Sequence, residues 1–166
     1  MIVRPAISAD AQALCDILNP LIVAGGTTAH ATPFDPDRMV AHYIAPPVGI
    51  ACHVAVTEDG IVGFQALKWP GPTTGIPDDW GSIATFVAPG QAGRGIGRAL
   101  FDATRTAAIA AGVATIDATI RADNDSGLTY YTALGFQDYD RQVDVPLSDG
   151  RLVDRVRKRF DLPHPD

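Results

Sequence analysis

The sequence predicts an α/β fold in which one mixed sheet carries helices on both of its faces. Apolar residues that alternate with other residues, as in residues 50–56, indicate β-strands, whereas apolar residues three and four positions apart indicate amphipathic helices. These two patterns follow each other in the order β-α-α-β-β-β-α-β-α-β-β. Helices that separate the strands of one sheet pack against its faces, which is the arrangement of an α/β domain.

Length and composition are consistent with this fold class. The chain has 166 residues, of which 46% are hydrophobic, so we expect one globular domain, residues 1–166, with a sizeable core. No uncharged apolar run approaches the length of a membrane span, and Arg4 and Asp10 interrupt the start of the chain. The sequence therefore predicts a cytoplasmic protein with no signal peptide and no membrane partner.

Net charge and cysteine content exclude some of the functions that a chain of this length could have. A net charge of −6 and a pI near 5.0 argue against nucleic-acid binding and favour a cationic or zwitterionic substrate. The one basic run, residues 155–159, is predicted to be the solvated edge of the last strand. Cys15 and Cys52 lie on the apolar faces of a predicted helix and strand, which indicates buried thiols without a chemical role.

The first half of the chain begins with a strand at residues 2–5. A helix follows at residues 9–24, with Ser8 as its N-cap, and Gly25 and Gly26 end it. Residues 27–33 show neither the helical spacing nor the alternation of a strand, so they are predicted to form a loop. A second helix at 36–44 is capped by Asp35 and ended by two prolines, and a β-hairpin then spans residues 50–69 with its turn at residues 58–60.

The second half alternates strands and helices after an irregular loop. Residues 69–79 are rich in Pro and Gly, and a loop of this length is typical of a lid or pocket wall. The remaining predicted elements are a strand at 81–88, a helix at 97–111, a strand at 113–120, a helix at 125–134 and closing strands at 136–145 and 151–162. Gly112 and Gly135 end the two helices.

Residues 84–100 combine a strand, a loop with glycines at positions 90, 93, 95 and 97, and the first turn of a helix. Backbone N–H groups at a helix start lack intrahelical partners, and the peptide dipole adds positive charge there. Glycines let an anion approach without meeting a Cβ atom. The segment therefore predicts a phosphate-binding loop, against the alternative of a plain connection between a strand and a helix.

Two segments resemble the GNAT superfamily of acyl-CoA-dependent N-acyltransferases. Residues 87–100, Val-Ala-Pro-Gly-Gln-Ala-Gly-Arg-Gly-Ile-Gly-Arg-Ala-Leu, resemble its pyrophosphate loop Gln/Arg-x-x-Gly-x-Gly/Ala, although Ala92 stands where the family has Gln or Arg. Asn124 and residues 130–136, Tyr-Tyr-Thr-Ala-Leu-Gly-Phe, resemble the family's Asn and Tyr-x-x-x-Gly-Phe segment. The resemblance implies a mostly antiparallel mixed sheet of about seven strands flanked by about four helices.

A finer similarity points to the phosphinothricin N-acetyltransferase group and related amino-acid acetyltransferases. The positions that carry it are Asn19, Thr27, Thr28, Phe34, Asp35, Ser148, Asp149, Gly150 and Asp154. The strand that enters the glycine loop often carries a Glu in that group, whereas Ser82 stands nearest to that position here. The group implies an amino acid or an analogue as the acceptor, and the family implies a homodimer.

The resemblance also implies how acetyl-CoA binds, with no metal. Its diphosphate would lie on the N–H groups of residues 93–97, and its pantetheine arm between the strands that end at Val87 and near Ile120. The residues assigned to acetyl-CoA are Phe86, Val87, Gly93, Arg94, Gly95, Ile96, Gly97, Arg98, Asn124 and Tyr131. Arg94 or Arg98 adds charge at the diphosphate, Phe86 and Val87 bond the arm through backbone groups, and Asn124 holds its amide.

The reaction implied is direct attack of a neutral amine on the thioester. The Val87 N–H would stabilise the oxyanion of the tetrahedral intermediate, and Tyr131 would protonate the thiolate. No covalent enzyme intermediate is needed. Thr27, Thr28, His30, Phe34 and Trp80 are expected to shape the pocket of the small-molecule amine. Candidates for the base are Asp78, Asp79, His30 and His53, with His30 ranked above His42 and His164.

Other classes of function share parts of this pattern. A nicotinamide-dinucleotide enzyme would use Gly93 and Gly95, with Asp117 on the ribose, but Arg98 and Leu100 stand where its last glycine is required. A non-catalytic CoA-binding regulatory domain would use the same glycine loop, so it stays open as an alternative. A protein-interaction module would not require four glycines at a helix start.

Overall fold

A computed structural model describes residues 1–163, so His164 lies outside the described residues. The elements are β1 (Ile2–Pro5), a 3-10 turn (Ser8–Asp10), α1 (Ala11–Ala24), α2 (Pro36–Met39), a π-helical turn (Val40–Ile44), β2 (Gly49–Thr57), β3 (Gly60–Lys68), β4 (Trp80–Val87), α3 (Ile96–Ala110), β5 (Thr115–Arg121), α4 (Asp125–Leu134), β6 (Gln137–Pro146) and β7 (Leu152–Asp161). The fold class and element order predicted from the sequence are confirmed.

The sheet is antiparallel except at its centre. Its strand order is β1-β2-β3-β4-β5-β7-β6, and the parallel pair is β4 with β5. Pairing between these two strands covers three positions and ends at Ser82 and Asp117. Since β4 continues to Val87 and β5 to Arg121, the carboxyl halves of these two strands do not pair with each other. They leave a gap in the middle of the sheet.

The two faces of the sheet carry different helices. Alternate side chains of a strand point to opposite faces. Phe64 and Phe86 pack in one cluster with the buried side of α1, whereas Leu67 and Ile116 pack in another with residues of α3 and α4. The gap between β4 and β5 therefore connects an α1 side and an α3–α4 side of the molecule.

The first helix begins differently from the prediction. Ser8 opens a 3-10 turn and does not cap α1. Asp10 stands at the N-cap position of α1 but makes no side-chain hydrogen bond to that helix. Its Oδ2 instead accepts a hydrogen bond of 2.9 Å from the Ile7 N–H, at the start of the 3-10 turn. The same carboxylate accepts two hydrogen bonds from the Arg4 guanidinium, at 2.8 and 2.9 Å. The Asp10 side chain thus joins β1 to the start of α1.

Replacing Asp10 by asparagine is expected to lower the free energy of unfolding at pH 7 by about 1–3 kcal/mol, because the charge-assisted bonds to Arg4 are lost. These bonds hold the pKa of Asp10 below its ordinary value. The stability that they provide is therefore fully present above about pH 4 and is lost as the pH falls through the lowered pKa of the folded protein.

Chemical denaturation of the wild type and D10N at pH 7 and pH 3 measures this difference. Asp16 offers a matched control, since it is an exposed carboxylate on α1 that accepts a hydrogen bond only from Gln12 among the described residues. D16N is expected to change the free energy of unfolding by less than about 0.5 kcal/mol. A D10N loss that is the same at both pH values would contradict the role of the Asp10 charge.

The prediction that residues 155–159 form a solvated edge is wrong. Their strand, β7, lies between β5 and β6 and is not an edge strand. Arg157 and Lys158 are 8% and 6% exposed. Arg157 donates a 2.7 Å hydrogen bond from Nη2 to the Thr74 carbonyl, and Lys158 pairs with Asp138. The sequence pattern identified the strand but not its neighbours.

Other expectations from composition can be compared with the described residues. Cys15 and Cys52 are free and buried, as predicted, and burial raises the pKa of the Cys52 thiol to about 12. No helix within residues 1–163 has the length and apolar character needed to cross a membrane. No group of His, Cys, Asp and Glu side chains suited to a metal ion occurs in this part of the chain.

Candidate active site

A cavity of about 700 Å³ occupies the gap between β4 and β5. The glycine loop and α4 line it on the α3–α4 side, and the loop after α1 lines it on the other side. Its wall includes Thr27, Thr28, Ala29, Tyr43, residues 83–93 and 95–98, Thr119, Ile120, Arg121, Asn124, Ser126, Gly127, Tyr130, Tyr131 and Arg155. Loop 69–79, predicted from its length to be a lid or pocket wall, contributes no side chain to this wall.

The glycine loop has the backbone conformation that an anion-binding loop requires. Gly90, Gly93 and Gly95 have φ angles of +82°, +78° and +77°, which residues other than glycine rarely adopt. Gly95 precedes the first turn of α3, and no side chain caps that helix start. A Cβ atom at Gly93 or Gly95 would meet nothing within 4 Å. The N–H groups there are open to a ligand.

Gly97 serves helix packing. A Cβ atom at this position would lie 2.5 Å from Cε2 of Tyr130 on α4. The Tyr130 hydroxyl donates a hydrogen bond of 2.7 Å to the Gly97 carbonyl and accepts one of 3.1 Å from Gln65 Nε2. The close approach joins the start of α3 to α4 and to β3. Gly97 therefore fixes the position of the helix start next to the cavity.

The structure separates the two arginines of the loop. Arg98 lines the cavity, and its guanidinium makes one hydrogen bond to the part of the chain that the structure describes, a long contact of 3.5 Å between Nη2 and the Ala133 carbonyl. Arg94 is exposed, lies outside the cavity wall and donates a 2.8 Å hydrogen bond to Oε1 of Gln91. The geometry therefore brings Arg98, but not Arg94, to the predicted diphosphate site.

The backbone of β4 presents one N–H group to the gap at its end. The Ala88 N–H donates to the Val62 carbonyl at 2.8 Å, on the β3 side. Because successive N–H groups of a strand point to opposite sides, the Val87 N–H points toward the gap and the Phe86 N–H toward β3. Phe86 pairs with Phe64 of β3. Of the two predicted backbone contacts, only the one at Val87 has the required direction.

Tyr131 reaches the cavity from α4. Its hydroxyl lies 2.9 Å from the Thr85 hydroxyl on β4, and its ring packs on Tyr130 and Phe136. The side chain lines the cavity although the residue is only 6% exposed. Burial raises the pKa of Tyr131, so the phenol is protonated at neutral pH. Position and protonation state fit the predicted proton donor.

Asn124 joins α4 to the loop after α1. Its Oδ1 accepts a hydrogen bond of 3.0 Å from the Gly127 N–H, which caps α4. Its Nδ2 donates to the Thr27 carbonyl at 3.3 Å. Oδ1 also accepts a hydrogen bond of 3.2 Å from the Ser126 hydroxyl. Asn124 lies in the cavity wall, and within residues 1–163 its second Nδ2 hydrogen remains available to a ligand amide.

The residues predicted for the acceptor pocket occupy three different places. Thr27 and Thr28 line the cavity. His30 and Phe34 lie one layer behind it, where His30 Nε2 is 2.6 Å from the hydroxyl of the lining residue Tyr43. Trp80 lies at the far end of β4, packs on Tyr139 and does not belong to the wall.

None of the candidate bases within residues 1–163 lines the cavity. Burial, with smaller contributions from Arg38 and Lys68, lowers the pKa of His30 to about 4. His30 is therefore neutral at pH 7 and accepts a proton weakly. Its imidazole contacts the hydroxyl of the lining residue Tyr43, and its backbone N–H donates to the Thr28 hydroxyl at 3.1 Å. Burial also lowers the pKa of His53, and the Nδ1 of this residue is buried without a partner among residues 1–163.

Sequence reasoning missed Tyr43, Thr85, Arg121 and Arg155 as parts of the site. Arg121 donates from Nη1 to the Thr28 carbonyl at 3.0 Å and binds both oxygens of Asp123. Period-two patterns in strands 113–120 and 151–162 were the available signals. They predicted strands, but which strands pair and which face borders a cavity depend on contacts distant in sequence.

The position of Asp117 argues against the dinucleotide alternative. Asp117 is completely buried, where it accepts hydrogen bonds from Tyr139 and from the Thr119 hydroxyl, the latter at 2.8 Å. It does not line the cavity that the glycine loop borders. A carboxylate in this position is not available to a ribose at that loop.

The family model of the GNAT acetyltransferase domain matches residues 49–138, which is more than half of the chain. The chain belongs to this family of acetyltransferase domains. The matched segment includes β2 to α4 and therefore the glycine loop, the gap and Tyr131. No sequence among the curated proteins matches the chain significantly.

Solved structures share the fold over nearly the full chain. YncA from Salmonella typhimurium, solved with its cofactor acetyl-CoA, is 21% identical with a TM-score of 0.85, and the match covers 99% of this chain and 95% of that one. A phosphinothricin acetyltransferase from Sinorhizobium meliloti, in complex with acetyl-CoA, is 21% identical with a TM-score of 0.83 and coverage of 99% and 92%. A ribosomal-protein-alanine N-acetyltransferase from Brucella melitensis is 23% identical with a TM-score of 0.81 and coverage of 98% and 100%.

Proposed function

We propose that this chain transfers the acetyl group of acetyl-CoA to the amine of a small molecule. The observation that carries the proposal is one cavity that joins an uncapped, glycine-lined helix start to the gap in the sheet and that both Val87 and Tyr131 line. Membership of the GNAT acetyltransferase family and neighbours solved with acetyl-CoA support the same activity.

The residues present fit acetyl-CoA along the length of the cavity. The N–H groups at the start of α3 and the Arg98 guanidinium would hold the diphosphate. The Val87 N–H would bond the arm or the acyl oxygen, and Asn124 the amide portion of the arm. Acetyl-CoA supplies an activated thioester, and no metal takes part in this proposal.

The side chains at the gap suit direct transfer between two bound molecules. The Val87 N–H stabilises negative charge as it develops on the acyl oxygen. Tyr131 donates its proton toward the sulfur at the end of the step, and Thr85 orients the phenol. Neither cysteine of the chain lines the cavity, so a cysteine-bound acyl intermediate has no support.

The acceptor would enter from the α1 side, past Thr27 and Thr28. The solved neighbours named above include enzymes for phosphinothricin and for a ribosomal protein, so similarity of fold does not select between these acceptors. The proposal of an amino acid or an analogue depends on the sequence similarity to the phosphinothricin group. One domain, residues 1–166, would carry the activity, and a homodimer in the cytoplasm remains a prediction from the resemblance.

A thiol-release assay with acetyl-CoA tests the function. Amino acids, polyamines, aminoglycosides and peptide N-termini are supplied as acceptors, and the product is identified by mass spectrometry. We expect release well above hydrolysis with at least one class. Binding of acetyl-CoA without release by any amine would favour the CoA-binding regulatory domain. Binding of NADH without binding of acetyl-CoA would overturn the proposal.

A further inference from the structure

The charge of the cavity wall is opposite to the charge of the chain. The net charge is −6, yet the charged side chains of the wall within residues 1–163 are Arg98, Arg121 and Arg155, with no Asp, Glu or His among the lining residues. Net charge favours a cationic or zwitterionic substrate, and of these two only the zwitterionic substrate carries the negative charge that this wall favours. Cationic walls disfavour polycationic ligands and favour anionic groups.

Two of these three arginines have assigned partners. Arg98 borders the glycine loop on the α3–α4 side, where the proposed diphosphate lies. The Arg121 guanidinium binds both carboxylate oxygens of Asp123, and this pairing raises the pKa of Arg121. The same guanidinium donates a hydrogen bond to the Thr28 carbonyl. The positive charge of Arg121 is therefore largely balanced by protein groups.

Arg155 has no such partner. Within residues 1–163, no hydrogen bond or ion pair involves its guanidinium, although it is half-buried. Burial lowers its pKa, and the neighbouring guanidinium groups of Arg157 and Arg121 lower it further. A cation held among other cations without a counterion has a strong electrostatic preference for an anion.

The sheet register places Arg155 on the acceptor side. It lies directly opposite Arg121 in the antiparallel pair of β5 and β7, so both side chains are on one face. Arg121 reaches the Thr28 carbonyl on the loop after α1, which identifies that face as the α1 side. Ile120, the residue before Arg121, packs in the cluster of Tyr131 on the opposite face. Arg155 and the glycine loop therefore lie at different ends of the cavity.

We propose that Arg155 binds an oxyanion of the acceptor, so that the acceptor is a small amine that also carries a carboxylate or a comparable acid group. This inference rests on the proposed acetyl transfer and adds a specificity-determining residue to it. Thr27 and Thr28 lie on the same side of the cavity and offer polar groups near the acceptor. A planar guanidinium binds a carboxylate through two parallel hydrogen bonds.

Matched acceptor pairs test this inference. Each amino acid that supports thiol release is compared with its amide, which keeps the amine and side chain but lacks the negative charge, and with its aminophosphonic analogue. For the wild type we expect kcat/KM to be about 10–100-fold higher for acids than for amides, as expected for a charge-assisted bond. R155Q should lower kcat/KM for acids by about this factor and leave the amides nearly unchanged, while R155K should restore part of the loss.

Arg159→Gln is the matched control, since Arg159 is an arginine of the same strand that does not line the cavity. R159Q should keep the acid preference of the wild type. Calorimetry of acetyl-CoA binding should give equal affinities for R155Q and the wild type, which separates the acceptor anion from the phosphates of the cofactor. Calorimetry of amino acids on the CoA complex gives a second readout that does not require turnover.

The outcomes separate the two proposals. If acetyl transfer occurs but amides or polyamines are used as well as acids, the Arg155 inference is wrong and the proposed function stands. If no amine is acetylated and amino acids bind the R155Q and wild-type CoA complexes equally, both fail. Loss of acetyl-CoA affinity in R155Q would also overturn the inference, because it would place the guanidinium at the cofactor.

Discussion

Replacing Tyr131 by phenylalanine is expected to lower kcat by about 10²–10⁴-fold while the Kd of acetyl-CoA changes little. The hydroxyl lies at the gap, 2.9 Å from the Thr85 hydroxyl, and is the acidic group that α4 brings to this point. Without it, the thiolate leaves unprotonated in a buried site, where desolvation makes a negative charge costly. Steady-state kinetics with the best acceptor, and calorimetry of acetyl-CoA, measure the two quantities.

The adjacent tyrosine separates proton donation from packing. Tyr130 belongs to the same helix, but its hydroxyl donates to the Gly97 carbonyl at the start of α3. Y130F should therefore act mainly on the affinity for acetyl-CoA and on the free energy of unfolding, with a cost of about 1 kcal/mol for the lost hydrogen bond. If Y130F and Y131F lowered kcat equally, the special role of Tyr131 would be untenable.

The pH dependence gives a further check on Tyr131. Because burial raises its pKa above the ordinary value of about 10, the phenol keeps its proton throughout the neutral and mildly alkaline range. The wild type should show no decline of kcat from loss of this proton between pH 7 and pH 10. A descending limb in that range that disappears in Y131F would mean that the phenol titrates near its ordinary pKa.

The local features of the site were predictable because they depend on short stretches of sequence. The glycine loop, a helix start predicted at residue 97 and the end of α4 at Gly135 follow from backbone preferences within about ten residues. The assignment of Tyr131 came from the family resemblance. Positive φ angles at Gly93 and Gly95 are a local requirement that glycine meets. For this reason the α3–α4 side of the cavity was largely predicted.

The α1 side was less predictable because it is assembled from distant strands. The insertion of β7 between β5 and β6 places Arg155 next to Arg121, and no local pattern encodes that neighbour. Trp80 was expected to shape the acceptor pocket, whereas it begins β4, at the end of that strand opposite to the glycine loop. Net charge did not predict the positive charge of the cavity wall, because an average over the chain does not describe one wall of a cavity.

Replacing Gly95 by aspartate is expected to weaken acetyl-CoA binding by about 10²–10³-fold at low salt, because a carboxylate next to a bound diphosphate brings like charges together. Aspartate tolerates the left-handed backbone better than most residues, and its Cβ would meet nothing within 4 Å at this position. The fold should therefore persist with a loss of about 1–2 kcal/mol in the free energy of unfolding. Calorimetry with acetyl-CoA at two ionic strengths measures the change.

Two variants separate charge, bulk and backbone strain in this prediction. G95N has nearly the same size without the charge, and should bind acetyl-CoA more tightly than G95D, with a difference that shrinks as salt is added. G112D introduces the same residue at the other end of α3, where φ is +80° and a Cβ also meets nothing within 4 Å, outside the cavity wall. Backbone strain is matched, but an aspartate at the C-terminal end of α3 opposes the helix dipole. G112D should therefore lose at least as much stability as G95D and yet keep its affinity for acetyl-CoA. Equal affinity of G95D and the wild type would mean that the start of α3 does not hold the diphosphate.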